Sequence, residues 1–203
     1  AFVDFKIDGT DEKLEIYTTR PDTMFGVTFM VIAPEHPIIE KLKNRITNYA
    51  ELENYKNECA KKTEFERTQL VKDKTGVKIA GIDAVNPING KKIPVFISDY
   101  VMMGYGTGAI MAVPAHDERD YAFAKKFGAD IIEVIKGGDI DKEAYTGDGE
   151  MVNSDFLNGI TNKKDAISCM IDKLEAMGTG KKGVQYKMKD WAFNRQRYWG
   201  EPI

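Results

Sequence analysis

Two short segments of the chain bring together side chains that could do chemistry. The first, Thr18-Thr19-Arg20-Pro21-Asp22-Thr23, places three hydroxyls, one guanidinium and one carboxylate within six residues. It follows a strand-like stretch, and loops at strand ends commonly carry functional sites. Thr and Asp side chains also hold turns, and Arg20 could pair with Asp22. Residue types alone therefore leave a structural and a functional role open.

The second segment runs from Gly104 to Asp120 and combines small residues with acidic ones. Its glycines let a ligand approach the backbone, and its carboxylates stand at the predicted start of a helix. The third glycine of the dinucleotide pattern and the P-loop Lys-Ser/Thr are both missing, so a phosphate site is not indicated. Of Asp117 and Asp120, one is expected to cap the helix while the other points at a ligand. We expect His116 to be structural.

Several familiar catalytic centres are absent from the sequence. There is no Gly-x-Ser-x-Gly elbow, and neither Cys59 nor Cys169 has a histidine nearby in sequence. His36 and His116 are the only histidines, which excludes a histidine-rich metal centre. If the chain is a hydrolase, water is therefore the expected nucleophile.

Hydrophobic periodicity predicts the elements that position these segments. Alternation predicts a hairpin and further strands, and apolar residues at helical spacing predict four helices. The predicted strands are 2–7, 14–18, 27–33, 77–80, 92–97 and 130–135, with an apolar run at 109–113. The predicted helices are 38–46, 49–62, one that opens at 117–120 and ends near Gly128, and one capped by Thr161 or Asn162 that ends at Gly178.

Composition describes a globular chain of 203 residues with a net charge of -3 and no long apolar run. Two cysteines far apart in sequence do not indicate a disulfide framework, so we expect a cytoplasmic location. The N-terminus shows no targeting signal, and the missing initial Met is expected of a fragment of a longer polypeptide.

The C-terminal part of the chain is locally basic. Six Lys or Arg residues against Asp190 give a local charge of +5 between residues 181 and 197, and Trp and Tyr residues lie among and beyond them. Basic charge interleaved with aromatic rings is typical of surfaces that contact RNA. We expect Lys181, Lys182 and Arg195 to contribute to such a surface.

Together, the two segments resemble the two motifs of the editing domains of leucyl-tRNA synthetases. The first motif corresponds to Thr18 to Gly26 and the second to Gly104 to Asp120, in the same order along the chain. The segment 190–203 resembles the stretch that returns such a domain to its catalytic domain. The expected organisation is therefore an editing domain at 1–189 followed by a return linker at 190–203.

The resemblance implies an activity: hydrolysis of the ester of mischarged tRNA(Leu), such as one bearing isoleucine, methionine or norvaline, while leucyl-tRNA(Leu) is spared. It implies that Asp120 anchors the substrate's α-ammonium group and that Thr23 is a steric gate against leucine. By the same resemblance, Thr18 and Thr19 position substrate and water while Arg20 supports the motif. The residues implied to line or brace the pocket are Tyr105, Met111, Val113, Asp117 and Arg119.

The resemblance also implies an α+β fold, with a β-barrel-like, mixed, largely antiparallel core and peripheral helices. Editing of an activated ester requires no metal or other cofactor, and ATP would serve only the catalytic domain. The expected partners are tRNA(Leu), its mischarged form and the rest of the parent synthetase. The two family motifs for aminoacylation are missing, so the chain is not expected to charge tRNA.

Two alternatives to the leucyl assignment stay open at this point. Isoleucyl and valyl synthetases carry related editing domains, but their first motif usually has Trp after Thr-Thr-Arg-Pro, where this chain has Asp22. The other alternative is a noncatalytic RNA-binding module that uses the basic, aromatic segment 181–199. Such a module would retain tRNA and leave a mischarged ester intact.

Overall fold

The computed structural model describes residues 1–62, 67, 75–104 and 106–184. The predictions made for Tyr105, for Arg195 and for the linker 190–203 lie outside these residues.

Seven strands form one mixed sheet. They are β1 (Phe2–Ile7), β2 (Lys13–Tyr17), β3 (Phe29–Ile32), β4 (Val77–Val85), β5 (Lys92–Ile97), β6 (Ala109–Ala112) and β7 (Gly180–Lys181). The order is β2-β1-β4-β5-β3-β6, with β7 also on β1. All the pairings are antiparallel except that of β3 with β5. Because the outer strands β2 and β6 also contact each other, the sheet is nearly closed.

Four α-helices lie around this sheet: α1 (Ile38–Lys41), α2 (Tyr49–Ala60), α3 (Glu118–Phe127) and α4 (Lys163–Ala176). Three 3-10 turns, Pro21–Gly26, Lys43–Arg45 and Asp155–Leu157, complete the described elements. The α+β, barrel-like architecture implied by the resemblance is thus confirmed. None of the helices in the described ranges is long and apolar enough to cross a bilayer.

Strand β3 separates two apolar clusters, because its successive side chains point to opposite faces. Met30 and Ile32 join the larger cluster with the buried face of the β1–β2 hairpin. Phe29 and Val31 join a smaller cluster beneath α3. There the Phe29 ring stacks on Phe123 of α3 with centroids 5.2 Å apart. This contact holds α3, and hence the acidic segment at its start, against the end of the sheet.

Three predicted elements differ most from the structure. Residues 130–135 do not form a strand and make only the isolated bridge between Ile135 and Met151. The helix predicted over 38–46 ends at Lys41 and continues as a 3-10 turn. The strand predicted to end at residue 80 continues to Val85. It passes Gly81 at a φ of +93°, where a Cβ would lie only 2.3 Å from the Arg45 carbonyl oxygen.

Candidate functional site

The hydroxyls of the first motif hold a tight turn. Oγ1 of Thr18 accepts a hydrogen bond from the Arg20 backbone nitrogen at 3.0 Å, and Oγ1 of Thr23 donates to the Arg20 carbonyl at 3.0 Å. Thr23 is only 2% exposed, whereas Thr18 is half-buried and Thr19 is exposed. The turn therefore fixes two of the three threonines and leaves Thr19 at the surface.

Arg20 is paired with Asp22 inside the same turn. Its Nη2 lies 2.8 Å from Oδ2 of Asp22, and its Nε lies 3.1 Å from Oδ1. The Asp22 side chain is 1% exposed, so this ion pair is partly removed from water. The structural pairing that the sequence left open is therefore present, and Arg20 braces the motif from within.

Asp117 caps helix α3. Its Oδ1 accepts from the backbone nitrogens of Arg119 at 2.8 Å and Asp120 at 3.3 Å. Burial alone would raise the pKa of Asp117, but hydrogen bonds from the Arg119 guanidinium and from these amides lower it overall. The expectation that one of the two aspartates caps the helix is confirmed, and Asp117 stays an anion.

Asp120 lies under the helix start and is 6% exposed. Its Oδ2 accepts a hydrogen bond from the backbone nitrogen of Val113 at 2.9 Å, immediately after β6. Burial and the nearby negative charge of Asp117 raise the pKa of Asp120 to about 7. A cation placed beside this carboxyl would favour its ionised form.

His116 is fully engaged by backbone groups. Its Nδ1 lies 2.8 Å from the Tyr145 carbonyl oxygen, and its Nε2 accepts from the backbone nitrogens of Val134 and Ile135 at 3.0 and 3.1 Å. These partners require a neutral ring with the proton on Nδ1. Burial lowers the pKa of His116, which also favours the neutral form. The expected structural role is confirmed.

The two motifs meet at one end of the barrel. A Cβ on Gly26, the last residue of the first motif, would lie 3.2 Å from Cγ1 of Val113 in the second. The charges of Arg20 and Asp22 both act on the pKa of His116. The structure thus brings Thr18, Thr19, Arg20 and Thr23 to the same region as Met111, Val113, Asp117, Arg119 and Asp120. Met111 is half-buried and Val113 is buried.

Lys181 and Lys182 are exposed at the same end of the sheet. Phe2 pairs with Tyr17 on one side and with Lys181 on the other. Two strand spacings put the backbone of Lys181 roughly 10 Å from that of Tyr17, the residue before the first motif.

One buried polar contact at the site carries no signal in the sequence. Nδ2 of Asn86, which is fully buried, donates to the carbonyl oxygen of Met24 at 2.8 Å. This bond ties the turn of the first motif to the end of β4. Since Asn86 precedes a proline in an ordinary turn sequence, neither spacing nor composition distinguishes it from a solvent-exposed loop residue.

Comparisons with known proteins agree on one family. A family model described as "Leucyl-tRNA synthetase, editing domain" matches residues 1–175. A leucine--tRNA ligase from Alkaliphilus oremlandii (strain OhILAs) is 61% identical over 99% of this chain, and one from Elusimicrobium minutum (strain Pei191) is 58% identical over 100%. The chain spans 25% and 24% of those two proteins.

A solved structure is also similar. It is the crystal structure of the ternary complex of Agrobacterium radiobacter K84 agnB2 LeuRS-tRNA-LeuAMS, with a TM-score of 0.73 and 28% identity. The match covers 94% of this chain and 20% of that one.

Proposed function

Because this chain belongs to the family of leucyl-tRNA synthetase editing domains, we propose that it hydrolyses the ester between a wrong amino acid and tRNA(Leu) and spares leucyl-tRNA(Leu). Isoleucine, methionine and norvaline are the proposed misattached amino acids. The alternative of an isoleucyl or valyl domain is not favoured, because the family model and both relatives are leucyl.

The observation that carries this proposal is the Asp120 carboxyl. It is 6% exposed, it is fixed by the Val113 amide, and its pKa is raised to about 7. Such a group is stabilised as an anion by a bound cation. The α-ammonium group of an aminoacyl ester supplies that cation, and pairing with Asp120 would hold the ester at a defined place beside the first motif.

Hydrolysis of an aminoacyl ester needs mainly positioning, because the ester is already activated. A held water and a stabilised oxyanion lower the barrier, and neither requires a metal or cofactor. In the proposed site, Thr18 and Thr19 orient substrate and water. Arg20 acts from its place in the turn, where Asp22 already holds it.

The remaining residues shape the amino-acid pocket. We assign Tyr105, Met111 and Val113 to its lining and Asp117 and Arg119 to its support. Arg119 reaches Asp117 at 3.3 Å and so stabilises the cap of α3, which in turn positions Asp120. Replacing these residues should therefore affect how the substrate fits.

Discrimination against leucine is assigned to Thr23. When two amino acids differ by one methylene or one branch-point methyl, a binding pocket distinguishes them by only about 1–3 kcal/mol. A second site with a different shape is therefore needed to correct the errors of the first. Thr23 suits a fixed barrier because its hydroxyl is held by the Arg20 carbonyl and its side chain cannot rotate freely. Its methyl group then has a defined place.

The tRNA is proposed to approach over the basic end of the barrel. Lys181 and Lys182 are exposed beside β1, and Arg195 extends the basic sequence beyond the described residues. The similar solved structure is a ternary complex of LeuRS with tRNA, which supports a tRNA as the partner. The rest of a parent synthetase is the other proposed partner, and the cytoplasm the proposed location.

Deacylation of purified esters tests the proposal. The chain is mixed in excess with isoleucyl-tRNA(Leu) or with leucyl-tRNA(Leu), and loss of each ester is followed in a single turnover. Faster loss of the isoleucyl ester, with the leucyl ester near its spontaneous rate, is the expected result. Retention of tRNA with both esters intact would instead identify a noncatalytic RNA-binding module.

A further inference from the structure

The hydroxyl of Thr28 is a buried polar group next to the proposed pocket. Thr28 is 9% exposed, and its Oγ1 has no hydrogen-bond partner within the part of the chain that the structure describes. Its backbone nitrogen donates to the Ala112 carbonyl at 3.2 Å. Thr28 therefore lies beside the end of β6, next to Val113.

An unpaired buried hydroxyl is unfavourable, and most buried polar side chains in folded proteins have a partner. A partner for Thr28 can be an ordered water or a ligand group. Its position favours a ligand, because the adjacent Val113 amide is bonded to the Asp120 carboxylate. Thr28 thus lies across from the residue whose amide holds the carboxylate proposed to bind the substrate's cation.

An α-ammonium group has three N–H donors, and one carboxylate does not satisfy all of them well. Oδ2 of Asp120 already accepts from the Val113 amide. Met111 and Val113, the other described residues assigned to the pocket lining, have apolar side chains that cannot accept a strong hydrogen bond. A hydroxyl oxygen nearby would complete the shell of acceptors around the cation.

We propose that Thr28 is a substrate-binding residue whose hydroxyl oxygen accepts a hydrogen bond from the α-ammonium group of the aminoacyl ester, together with Asp120. This rests on the proposed function. It adds a second recognition element for the amino group. The Thr28 hydroxyl is already buried in this structure, and as a neutral group it keeps the same charge when the cation binds.

The test compares Thr28→Val, which keeps the shape and removes the hydroxyl, with Thr28→Ser, which keeps the hydroxyl. Two substrates are used: isoleucyl-tRNA(Leu) and its deaminated counterpart, which carries an α-hydroxyl in place of the ammonium. We expect Thr28→Val to lower kcat/KM for the aminoacyl ester about 10- to 100-fold, as for loss of a hydrogen bond to a charged group. The loss for the deaminated ester should be about threefold or less.

Thr28→Ser should restore most of the activity on the aminoacyl ester. Thr28→Val should melt at the same temperature as the wild type or higher, because no hydrogen bond within the described residues is lost. An equal loss on both esters, or no loss on either, would overturn the ammonium assignment; the latter result would leave water as the partner of Thr28. Wild-type chain that leaves isoleucyl-tRNA(Leu) intact would instead contradict the proposed function itself.

Discussion

The Asp120 carboxylate and the Val113 amide are joined by a 2.9 Å hydrogen bond that links the start of α3 to the end of β6. The bond fixes one carboxylate oxygen in a nearly buried position, while the side chain remains free to pair with a cation through its other oxygen. Helix capping is left to Asp117. Asp120 is therefore available for substrate in a way that its neighbour is not.

Replacing Asp120 should remove most deacylation of mischarged tRNA(Leu). Loss of a partly desolvated charge pair costs on the order of 2–5 kcal/mol, so Asp120→Ala should slow the reaction by roughly 30-fold or more. Single-turnover hydrolysis of isoleucyl-tRNA(Leu) measures the loss. Asp120→Asn is the matched control, because its amide oxygen can still accept from Val113 and preserve the fold. A folded Asp120→Ala chain with normal turnover would exclude Asp120 from the site.

The pH dependence of deacylation should show the ionisation of Asp120. With its pKa raised to about 7 in the free chain, the carboxylate is lost as pH falls below 7, and kcat/KM should fall about tenfold per pH unit there. Above about pH 8 the substrate's α-ammonium deprotonates and activity should fall again. Subsaturating rates from pH 5.5 to 9, corrected for spontaneous hydrolysis, give the profile. An acidic limb unchanged in Asp120→Asn would assign that limb to another group.

Thr23→Ala should create hydrolysis of correctly charged leucyl-tRNA(Leu) while leaving removal of isoleucine largely intact. Relief of about 1–3 kcal/mol of misfit corresponds to a gain of roughly 10- to 200-fold. Structural damage would lower activity, so a gain is diagnostic. Both esters are measured in single turnover, with circular dichroism to confirm folding.

The matched control is Thr23→Val, which keeps the bulk of threonine and loses the hydrogen bond to the Arg20 carbonyl. It should still spare leucine if shape is the barrier. A Thr23→Ala chain that spares leucine and clears isoleucine would show that Thr23 is not the gate.

The affinity for tRNA should depend steeply on salt, and the basic residues should account for part of that dependence. Each phosphate contact contributes about -0.7 to -0.9 to the slope of log K against log salt. Replacing Lys181, Lys182 and Arg195 with alanine should therefore flatten the slope by up to about two to three units. Lys142, on an acidic loop and 80% exposed, is a suitable control for general charge effects. If the triple variant keeps the wild-type slope, the RNA surface lies elsewhere.

Acid should destabilise the chain partly through His116. Burial lowers the pKa of His116 below the usual histidine value of 6.5, so the folded state holds the ring neutral while the unfolded state takes up a proton. Stability is therefore complete above pH 6.5 and decreases as pH falls below it, by at most about 1.4 kcal/mol per pH unit. Urea unfolding at pH 7.5, 6.5 and 5.5 measures this dependence, and His116→Asn should flatten it.

This measurement is best made on Asp120→Asn. The raised pKa of Asp120 has the opposite effect on stability. As pH falls through 7, the folded state takes up a proton on this carboxyl while the unfolded state does not, so the folded state is stabilised. His36, whose pKa burial also lowers, is replaced separately as a comparison. A His116→Asn chain with the original pH dependence would show that this ring does not couple folding to protons.

Local sequence patterns predicted most of the helices and strands, because turns, alternation and helix caps depend on residues that are close together in the sequence. The β1–β2 hairpin follows from alternation and the Asp8-Gly9 turn, and α4 begins after Asn162, whose side chain accepts from the Lys164 amide at 3.0 Å. By contrast, residues 130–135 are rich in Ile and Val, as strands often are, but do not form a strand. His116, remote in sequence, takes the amides of Val134 and Ile135 that a strand partner would have used.

The residues of the proposed site were selected from motif resemblance, whereas their geometry could not be predicted from the sequence. Motif resemblance selected Asp120, yet nothing local indicates that the Val113 amide would hold it. The parallel pairing of β3 with β5, and the contact of β2 with β6 that closes the barrel, join segments distant in sequence. Long-range pairings of this kind depend on the packing of the whole core rather than on any one stretch.

The pairing of Phe2 with Lys181 places the first and last described strands side by side. Polypeptide attached at these two strands would leave the barrel through neighbouring positions, which is the geometry that lets one domain be inserted into a surface loop of another.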